Sequence, residues 1–428
     1  MSAHRGLRLD DTLPLAFEGY AWLPNRWRRA RADAVPMRLL GRPAVALRGP
    51  EAARFFYDER HVRRHGALPE PVRSTLFGHG AVHTLDGTAH RVRKAMFLAL
   101  LTTVPAATTR TGVPAGRGGV DDLVTRAVAA WDEAVPDWAD RSPVVLFDET
   151  ARVLTRAVCD WTGVPVAPAE VPALAGDLVA LVDGFGTAGP RHWRARRARL
   201  RREAWLADLV DRVRRDDPAV PTGSAVAAVA RHRDADGSEL DPRTAAVELL
   251  NIIRPTVAVS WFVAFAAHAL HRWPGHRDRL RADDPAFTEA FAHEVRRFYP
   301  FAPFVGGRAV RDLEWGGEHV PAGAMVLLDI YGQHHDARFW PDPYRFTPER
   351  FLDREIDPYE LLPQGGGDPA AGHRCPGEAI TVALLRALAV KLAHLDHTLP
   401  DQDLTIPLRR IPARPRSGVL VEVRRPTG

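Results

Sequence analysis

Apolar residues recur at helical spacing over most of the chain, and the longest apolar stretch covers residues 245–270. A helix that is apolar on every side must be buried in the core. Arg254 and Pro255 interrupt this stretch at its centre. Proline removes one helical hydrogen bond and predicts a kink, whereas a buried arginine keeps its charge and needs an anionic partner. The pair therefore indicates either a working site or a structural arginine–carboxylate pair at a kink.

The rest of the pattern predicts shorter helices and a few short strands. Amphipathic spacing predicts helices over residues 50–57, 88–98, 121–131 and 149–161. Short apolar runs predict a β-hairpin around Gly41 and strands over residues 325–330 and 418–423. Residues 104–120 are rich in Thr, Pro, Gly and Ala and predict a loop. We therefore expect a mainly α-helical fold with small β-sheets.

A glycine-rich loop that ends in a cysteine precedes another apolar helical run. Residues 362–378 have the sequence LPQGGGDPAAGHRCPGE, in which Cys375 stands at the start of the predicted helix. The helix dipole and the unpaired N–H groups at a helix start favour a thiolate, the form of cysteine that binds metals. His373 and Arg374 add positive charge. The alternative is a turn that ends in a buried structural cysteine.

This loop resembles the loop by which the cytochromes P-450 hold the haem iron through a cysteine thiolate. His373 and Gly377 match its basic residue and its glycine, two positions before and after Cys375. The chain departs from the common pattern in two respects: Asp368 replaces a phenylalanine, and residues 368–371 lengthen the loop. The resemblance implies that Cys375 is the iron ligand. Cys159, within a predicted helix, is expected to be a buried apolar residue.

Two further segments resemble structural signatures of the same family. Glu294 and Arg297 are spaced to share one face of a helix, and Arg350 lies within the sequence FTPERF at residues 346–351. In the family these three residues form a buried charge network under the haem. The resemblance extends from about Leu13 to the C-terminus, so we expect a cytochrome P-450 fold, with residues 1–428 forming a single haem-thiolate domain.

A basic helix face lies upstream of these segments. His90, Arg93 and Lys94 are spaced at i, i+3 and i+4 within the helix predicted over residues 88–98. The resemblance implies that these residues, together with His373, contact the haem and that the helix residues hold its propionates. A solvated basic face is the alternative for the helix residues.

The centre of the long apolar helix is similar to one branch of the family. Most cytochromes P-450 carry an acid–alcohol pair there, which delivers protons to dioxygen, but residues 253–256 have the sequence IRPT, without an acid. This departure, the lengthened cysteine loop and the sequence RFYPFAPF at residues 297–304 resemble the fatty-acid peroxygenases. Members of that branch use hydrogen peroxide and include hydroxylases and olefin-forming decarboxylases.

The resemblance implies oxidation of fatty acids at Cα or Cβ, which gives 2- or 3-hydroxy acids and, by decarboxylation, terminal alkenes. The cofactor would be haem b and the oxidant hydrogen peroxide, with no obligatory redox partner. Arg254, next to Pro255, would bind the substrate carboxylate bidentately. That carboxylate would replace the missing acid in relaying a proton.

His83 precedes the basic helix in a glycine-punctuated loop. The matching position of the branch is glutamine in typical hydroxylases and histidine in members known for decarboxylation. Histidine can carry a proton near neutral pH, so we expect His83 to favour the alkene; the alternative is that it only binds a water molecule. Phe77, Phe301 and Phe304 are expected to line the acyl chain, with core packing as the alternative.

Composition sets weaker limits on function. The 428 residues are 46% hydrophobic and carry a net charge of +5, which suits an anionic small molecule and does not imply nucleic acid. Two cysteines provide no disulfide framework, and the N-terminal residues lack the apolar run of a signal peptide or a membrane anchor. We therefore expect a cytoplasmic protein without a membrane anchor.

Residues 191–202 hold seven arginines around Trp193. A nucleic-acid patch is one interpretation, but acidic residues follow on the same helix and no nucleic-acid-binding fold accompanies it. A solvated or salt-bridged face near the entrance of an anionic ligand is the interpretation that we favour.

Two alternative functions would also be compatible with a haem-binding loop of this kind. A cytochrome P-450 monooxygenase that depends on a redox partner would need the acid–alcohol proton relay that residues 253–256 lack. A haem sensor or carrier that is not an enzyme would need no carboxylate-binding residue such as Arg254.

Overall fold

The computed structural model describes residues 9–30, 32–102, 119–218 and 220–425. Helices dominate these ranges, as the hydrophobic pattern predicts. The loop predicted over residues 104–120 lies outside them, apart from its last two residues. The helices are α1 Thr12–Glu18, α2 Trp22–Ala30, α3 Pro50–Tyr57, α4 Glu70–Val72, α5 Gly87–Leu101, α6 Val120–Asp140, α7 Leu146–Thr162, α8 Val171–Asp183, α9 Pro190–Arg214, α10 Ala225–Ala230, α11 Pro242–Val257, α12 Val259–Arg272, α13 Gly275–Arg281, α14 Pro285–Phe298, α15 Ile330–His334 and α16 Glu378–His394.

Short strands form three small sheets in the described residues. The strands are β1 Ala34–Leu39, β2 Arg42–Leu47, β3 Val62–Arg63, β4 Val144–Val145, β5 Phe304–Ala309, β6 Leu313–Trp315, β7 Glu318–Val320, β8 Met325–Asp329, β9 His397–Thr398 and β10 Leu420–Val423. The largest sheet has the order β1-β2-β8-β5-β3, in which only β2 and β8 run parallel. The predicted hairpin is present, with Leu39 opposite Arg42. The predicted class, mainly α with small sheets, is confirmed.

The long apolar stretch consists of two helices. α11 ends at Val257 and α12 begins at Val259, with Ala258 between them. Pro255 has no N–H, so the carbonyl group of Asn251 loses its helical partner. The predicted disturbance at Pro255 is therefore seen as a one-residue interruption at Ala258, three residues further on, within the otherwise helical segment Pro242–Arg272.

Both of these helices belong to the core. The segment Pro242–Arg272 is apolar enough to cross a membrane, but 94% of its most apolar window is buried inside the protein, which is typical of a core helix. α11 packs against α9 and α7, whereas α12 packs against α16, α7 and α14. The C-terminal end of α11, which carries Arg254, and the start of α16, which follows Cys375, are thus held by the same layer of helices.

A buried charge network fixes the end of α14. The Glu294 carboxylate accepts hydrogen bonds from Arg297 at 2.7 Å and lies 3.2 Å from Nε of Arg350. Arg297 also donates to the carbonyl groups of His334 and Pro343, at 2.7 and 3.0 Å. The structure therefore brings together the three residues that the sequence predicts as a network, and it ties α14 to the two segments that follow β8.

Candidate active site

The Cys375 loop is held to the start of α16 by one glutamine. The Cys375 N–H donates to the carbonyl group of Gln364 at 3.0 Å. The Gln364 side-chain amide donates to Thr381 Oγ1 at 2.9 Å and lies 3.8 Å from the Cys375 sulfur. A Cβ atom at Gly377 would stand 3.9 Å from the same sulfur and 3.7 Å from Leu101. The glycine keeps that side of the sulfur free of a side chain.

The three consecutive glycines of the loop have a steric cause. Gly365 has φ of +97°, a conformation that other residues rarely adopt. A Cβ atom at Gly366 would lie 2.6 Å from Cδ2 of Leu362 and 2.9 Å from the carbonyl oxygen of Pro358. The loop can therefore fold tightly over the preceding turn only with glycine at these positions.

The surroundings of Cys375 do not by themselves favour a thiolate. Burial raises the pKa of the Cys375 thiol, against the opposing effects of the Gly377 N–H and the Lys94 charge. Arg374 is paired with Glu378 at 2.6 Å, so its charge is largely compensated. Burial thus opposes the thiolate that the helix start and the basic residues would favour, and the thiolate stays a prediction. A bound metal ion would supply the compensating positive charge.

Cys159 differs from Cys375 in its surroundings. It lies buried within α7, and burial raises its pKa to about 12. A thiol in apolar surroundings stays protonated and inert. The prediction that Cys159 is a buried apolar residue is confirmed.

His90 and Lys94 of α5 face the cysteine loop. The Lys94 ammonium donates to the carbonyl groups of Arg374, at 2.8 Å, and of Gly372. His90 stacks on His373 with ring centroids 4.0 Å apart. Burial lowers the pKa of both histidines, so both imidazoles are neutral at pH 7. The structure thus places two of the three predicted basic residues of α5 against the loop that carries His373 and Cys375.

Arg93 has other partners than the expected haem propionates. Its guanidinium donates to Glu248 at 2.7 Å, to Asp234, and to the carbonyl group of Gly80 at 3.2 Å. Two carboxylates therefore already compensate its charge. Arg93 shares the helix with His90 and Lys94, but its contacts link α5 to α11, and we remove it from the predicted propionate-binding set.

Arg254 is buried without a carboxylate partner among the described residues. Its side chain donates one hydrogen bond, to Oδ1 of Asn251 at 3.2 Å, and its Nε has no partner. Burial lowers its pKa to about 9; the charge of Arg199 acts in the same direction, and the Cys375 sulfur acts against it. The alternative of a structural arginine–carboxylate pair is therefore wrong for the part of the chain that the structure describes.

His83 and Phe77 lie beside Arg254. The rings of His83 and Phe77 have centroids 4.3 Å apart, and the Arg254 guanidinium lies 5.9 Å from the centre of the Phe77 ring. Burial, and then the charge of Arg254, lower the pKa of His83 well below its usual value. The expectation that His83 carries a proton near neutral pH is corrected, since the ligand-free protein holds a neutral imidazole with one N–H.

Phe301 and Phe304 contact core residues. Phe301 packs against Phe262 and Trp261, with centroid distances of 5.1 and 6.1 Å. Phe304 lies on β5 and packs edge-on against Trp22 at 5.6 Å. Both side chains are only partly buried. Their predicted role in lining the acyl chain stays a prediction, whereas the position of Phe77 next to Arg254 supports its predicted role more directly.

Asn251 is a site residue that the sequence analysis did not identify. Its amide group donates to the carbonyl group of Phe77 at 3.0 Å and to Glu248 at 3.1 Å, while its oxygen accepts from Arg254. It therefore connects the Arg254 guanidinium to the Phe77 segment. A polar residue one helical turn before a buried arginine, in an otherwise apolar helix, was the available signal.

Asp86 is a second site residue that the sequence analysis did not identify. Its carboxylate accepts from the backbone N–H groups of Arg64 and His65 at 2.9 and 2.7 Å, and lies 3.3 Å from Nε2 of His373. It thereby joins the segment after β3, the start of α5 and the cysteine loop. Its place immediately before the glycine at which α5 begins was the only signal in the sequence.

The surroundings of Cys375 fit a haem group. Three buried polar atoms here have no partner among the described residues: Nδ1 of His83, Nδ1 of His90 and Nε of Arg254. Such atoms are rare in folded proteins and point to a group that the protein binds. Cys375 supplies the thiolate that haem iron takes in one class of haem proteins, and Lys94 supplies a positive charge nearby.

Comparison of sequences identifies the family over the C-terminal part of the chain. The cytochrome P-450 family model matches residues 283–411, which include Glu294, Arg350 and Cys375. Cytochrome P-450 71D11 of Lotus japonicus is 38% identical over 131 residues, 28% of this chain and 26% of that protein. Vinorine hydroxylase of Rauvolfia serpentina is 35% identical over 123 residues, 27% and 25% of the two chains. The chain thus matches about a quarter of the length of these curated relatives.

Comparison of structures extends the likeness to nearly the whole chain. Cytochrome P-450SP alpha in complex with (R)-ibuprophen is 42% identical, with a TM-score of 0.90 over 97% of this chain and 99% of that chain. Cytochrome P-450EX alpha with myristic acid is 36% identical, with a TM-score of 0.88 over 98% and 97%. Ligand-free cytochrome P-450 OleT is 34% identical, with a TM-score of 0.91 over 99% of both chains. The chain has the cytochrome P-450 fold and belongs to the cytochrome P-450 family, in its fatty-acid peroxygenase branch.

Proposed function

We propose that this protein uses hydrogen peroxide to oxidise fatty acids at Cα or Cβ, giving 2- or 3-hydroxy acids and, by oxidative decarboxylation, terminal alkenes. One observation carries the proposal. Arg254 is 6% exposed, and its one hydrogen-bond partner among the described residues is the amide oxygen of Asn251. A buried cation without an anion is costly. A substrate carboxylate would remove that cost on binding.

Cys375 would hold the iron of haem b through its sulfur, and His90, Lys94 and His373 would border the group. Haem bound in this way supplies the oxidation chemistry with peroxide, and the thiolate ligand favours cleavage of the peroxide O–O bond. The protein's own task is then to bind the acid, to place its first carbons and to deliver a proton.

Arg254 would bind both oxygens of the substrate carboxylate, since a guanidinium offers parallel N–H donors to a carboxylate. Asn251 holds one side of the guanidinium, and the Phe77 ring lies beside it. An acid anchored by its carboxylate has Cα and Cβ near the anchor, whatever the length of its chain. Oxidation at these carbons, rather than near the far end, follows from that anchor.

The substrate carboxylate would also take the place of the missing acid in α11. Pro255 stands directly before Thr256, and the Thr256 hydroxyl already donates to the carbonyl group of Ile252 at 3.0 Å. That hydroxyl is therefore committed to its own helix. A carboxylate held at Arg254 can pass a proton to and from peroxide, as a general acid and base does.

His83 would respond to the bound acid. The charge of Arg254 is the second largest cause of the lowered pKa of His83, after burial. A carboxylate paired with Arg254 compensates that charge, so the pKa of His83 rises in the substrate complex. A larger fraction of His83 would then be protonated when the acid is bound, and a protonated imidazole at this position would favour loss of carbon dioxide over hydroxylation.

The ligands of the similar structures agree with a carboxylate site. Cytochrome P-450EX alpha holds myristic acid and cytochrome P-450SP alpha holds (R)-ibuprophen. Both ligands are carboxylic acids. We propose the same class of ligand for this chain.

We further propose that residues 1–428 form one haem-thiolate domain in the cytoplasm, with neither a nucleic-acid partner nor an obligatory redox partner. Cys159 is buried and both cysteines are unpaired, which agrees with a reducing compartment. The most apolar helical segment, Pro242–Arg272, is used in the core.

The test compares oxidants and substrates. Holoenzyme is incubated with a fatty acid or with the alcohol of equal chain length, in one arm with hydrogen peroxide and in the other with ferredoxin, its reductase and NADPH. We expect the acid to give products with hydrogen peroxide in the absence of redox proteins. The alcohol should give products only after a short carboxylic acid is added, because that acid would supply the carboxylate that relays the proton. Turnover only in the redox-partner arm would instead support a monooxygenase. No product in either arm would support a haem sensor or carrier.

A further inference from the structure

One face of α9 exposes large apolar side chains among arginines. Trp193 and Leu200 are 55% and 60% exposed, and Arg197 lies on the same side of the helix, four residues after Trp193 and three before Leu200. Arg194 precedes Arg197 by three residues. Trp193, both arginines and Arg201 also form the walls of a shallow surface groove. The proposed reaction uses none of these side chains.

This face carries uncompensated positive charge. Arg194, Arg196 and Arg197 form no ion pair with any residue in the described ranges. Two neighbouring acids are each shared by two arginines: Asp177 pairs with Arg201 and Arg202, and Asp183 with Arg191 and Arg410. The helix thus carries both salt-bridged and solvated arginines, as the sequence predicts, and the three unpaired arginines give it a positive surface.

A second exposed apolar pair lies on α1. Leu13 and Phe17 lie one turn apart on α1 and are 68% and 70% exposed. The residues after α1 are joined to α9 through one loop: the Tyr20 N–H donates to Leu408, and the side chain of Arg191 donates to the carbonyl group of Ile411. The segment after α1 and the start of α9 are thus both hydrogen-bonded to residues 408–411.

We propose that this face of α9 binds the surface of an anionic lipid bilayer. Arginines bind phosphate bidentately, basic residues are attracted to an anionic leaflet, and Trp and Leu on the same face can enter the headgroup region. A nucleic acid would use the arginines but would leave Leu200 exposed. The inference does not depend on the proposed peroxygenase activity.

The experiment measures binding of the holoenzyme to vesicles by co-sedimentation. One set contains equal parts of phosphatidylglycerol and phosphatidylcholine, and the other contains phosphatidylcholine alone. The double variant Arg194→Gln/Arg197→Gln removes two unpaired charges from the face. The control Arg272→Gln/Arg311→Gln removes two exposed charges elsewhere, on α12 and before β6.

We expect the wild type to bind the anionic vesicles and not the neutral ones. The double variant should bind about 30-fold more weakly, since each arginine near an anionic surface contributes about fivefold. The control should change binding by about twofold or less, because screened charges away from the face act weakly. Equal losses in the two double variants would overturn the proposal, as would tighter binding to a DNA duplex at equal phosphate concentration.

Tryptophan quenching gives a second readout that does not depend on affinity. Among the tryptophans of the described residues, Trp193 stands out as the highly exposed one. Anionic vesicles with brominated acyl chains should therefore quench part of the wild-type fluorescence, and Trp193→Phe should abolish that part. Quenching that survives in Trp193→Phe would show that another surface meets the bilayer.

Discussion

Replacing Arg254 with methionine should weaken fatty-acid binding strongly. In the proposed complex the substrate carboxylate and the guanidinium are both removed from water, and loss of one partner of such a pair costs about 3 kcal/mol. That value corresponds to roughly two orders of magnitude in Kd. An alcohol of the same chain length lacks the carboxylate, so its affinity should change little.

The same replacement should leave the ligand-free protein at least as stable as the wild type. Burial lowers the pKa of Arg254 from its usual value to about 9, which corresponds to a cost of roughly 5 kcal/mol for keeping the charge in the folded state. The side chain is protonated in both states at pH 7. The cost is therefore fully present below about pH 9 and disappears only as the pH rises from there towards the pKa of arginine in the unfolded chain. Methionine fills the space without that cost.

Arg93→Met is the matched control for stability. Arg93 is also a buried arginine, but it pairs with Glu248 and Asp234. Its removal leaves the Glu248 carboxylate buried without its ion-pair partner, which should cost about 3–5 kcal/mol of the free energy of unfolding. Both variants replace a buried arginine with methionine, so opposite effects on the free energy of unfolding would show the contribution of the ion pairs that only Arg93 makes.

The assay titrates holoenzyme with myristic acid and with 1-tetradecanol, following the haem absorbance band, and urea unfolding gives the stability of each variant. We expect Arg254→Met to lose most of the preference of the wild type for the acid over the alcohol. Unchanged acid affinity would refute the carboxylate role of Arg254. So would an equal loss for acid and alcohol, because that result would indicate general damage to the pocket.

The remaining predictions concern other parts of the site. Cys375→Ser should abolish the red-shifted Soret band of the reduced carbon monoxide complex, and Cys159→Ser should keep it; the reverse would reassign the iron ligand. His83→Gln should lower the ratio of alkene to hydroxy acid, measured by mass spectrometry, and an unchanged ratio would remove His83 from the branching step. Glu294→Gln should lower the free energy of unfolding by about 3–5 kcal/mol, because it leaves the buried Arg297 and the partly buried Arg350 without their carboxylate; a loss below about 1 kcal/mol would contradict that role.

Local patterns explain what the sequence alone could predict. The hairpin and the helices follow from hydrophobic spacing, and the pairing of Glu294 with Arg297 follows from their spacing on one helix face, whereas the link from Glu294 to Arg350 was implied only by the resemblance to the family. Arg254 could be identified as unusual for a similar reason, since it is a charge at the centre of an apolar helix. The inference needed only the rule that buried charges require partners.

The errors arose where distant residues meet. Arg93 shares a helix face with Lys94, but its partners Glu248 and Asp234 lie far away in the sequence. The low pKa of His83 likewise depends on burial and on the charge of Arg254, which lies far away in the sequence on α11. Helical spacing predicts which side chains share a face, and it carries no information about what packs against that face.

The central claim is that hydrogen peroxide, directed by an anchored carboxylate, oxidises the first carbons of a fatty acid. The most direct measurement incubates holoenzyme with myristic acid and peroxide labelled with oxygen-18 on both atoms, and analyses the products by mass spectrometry. Each hydroxylation uses one peroxide oxygen and releases the other as water. We predict 2- or 3-hydroxymyristic acid with one labelled oxygen, and tridecene beside it. Unlabelled hydroxy acid, or hydroxylation towards the far end of the chain, would contradict the account.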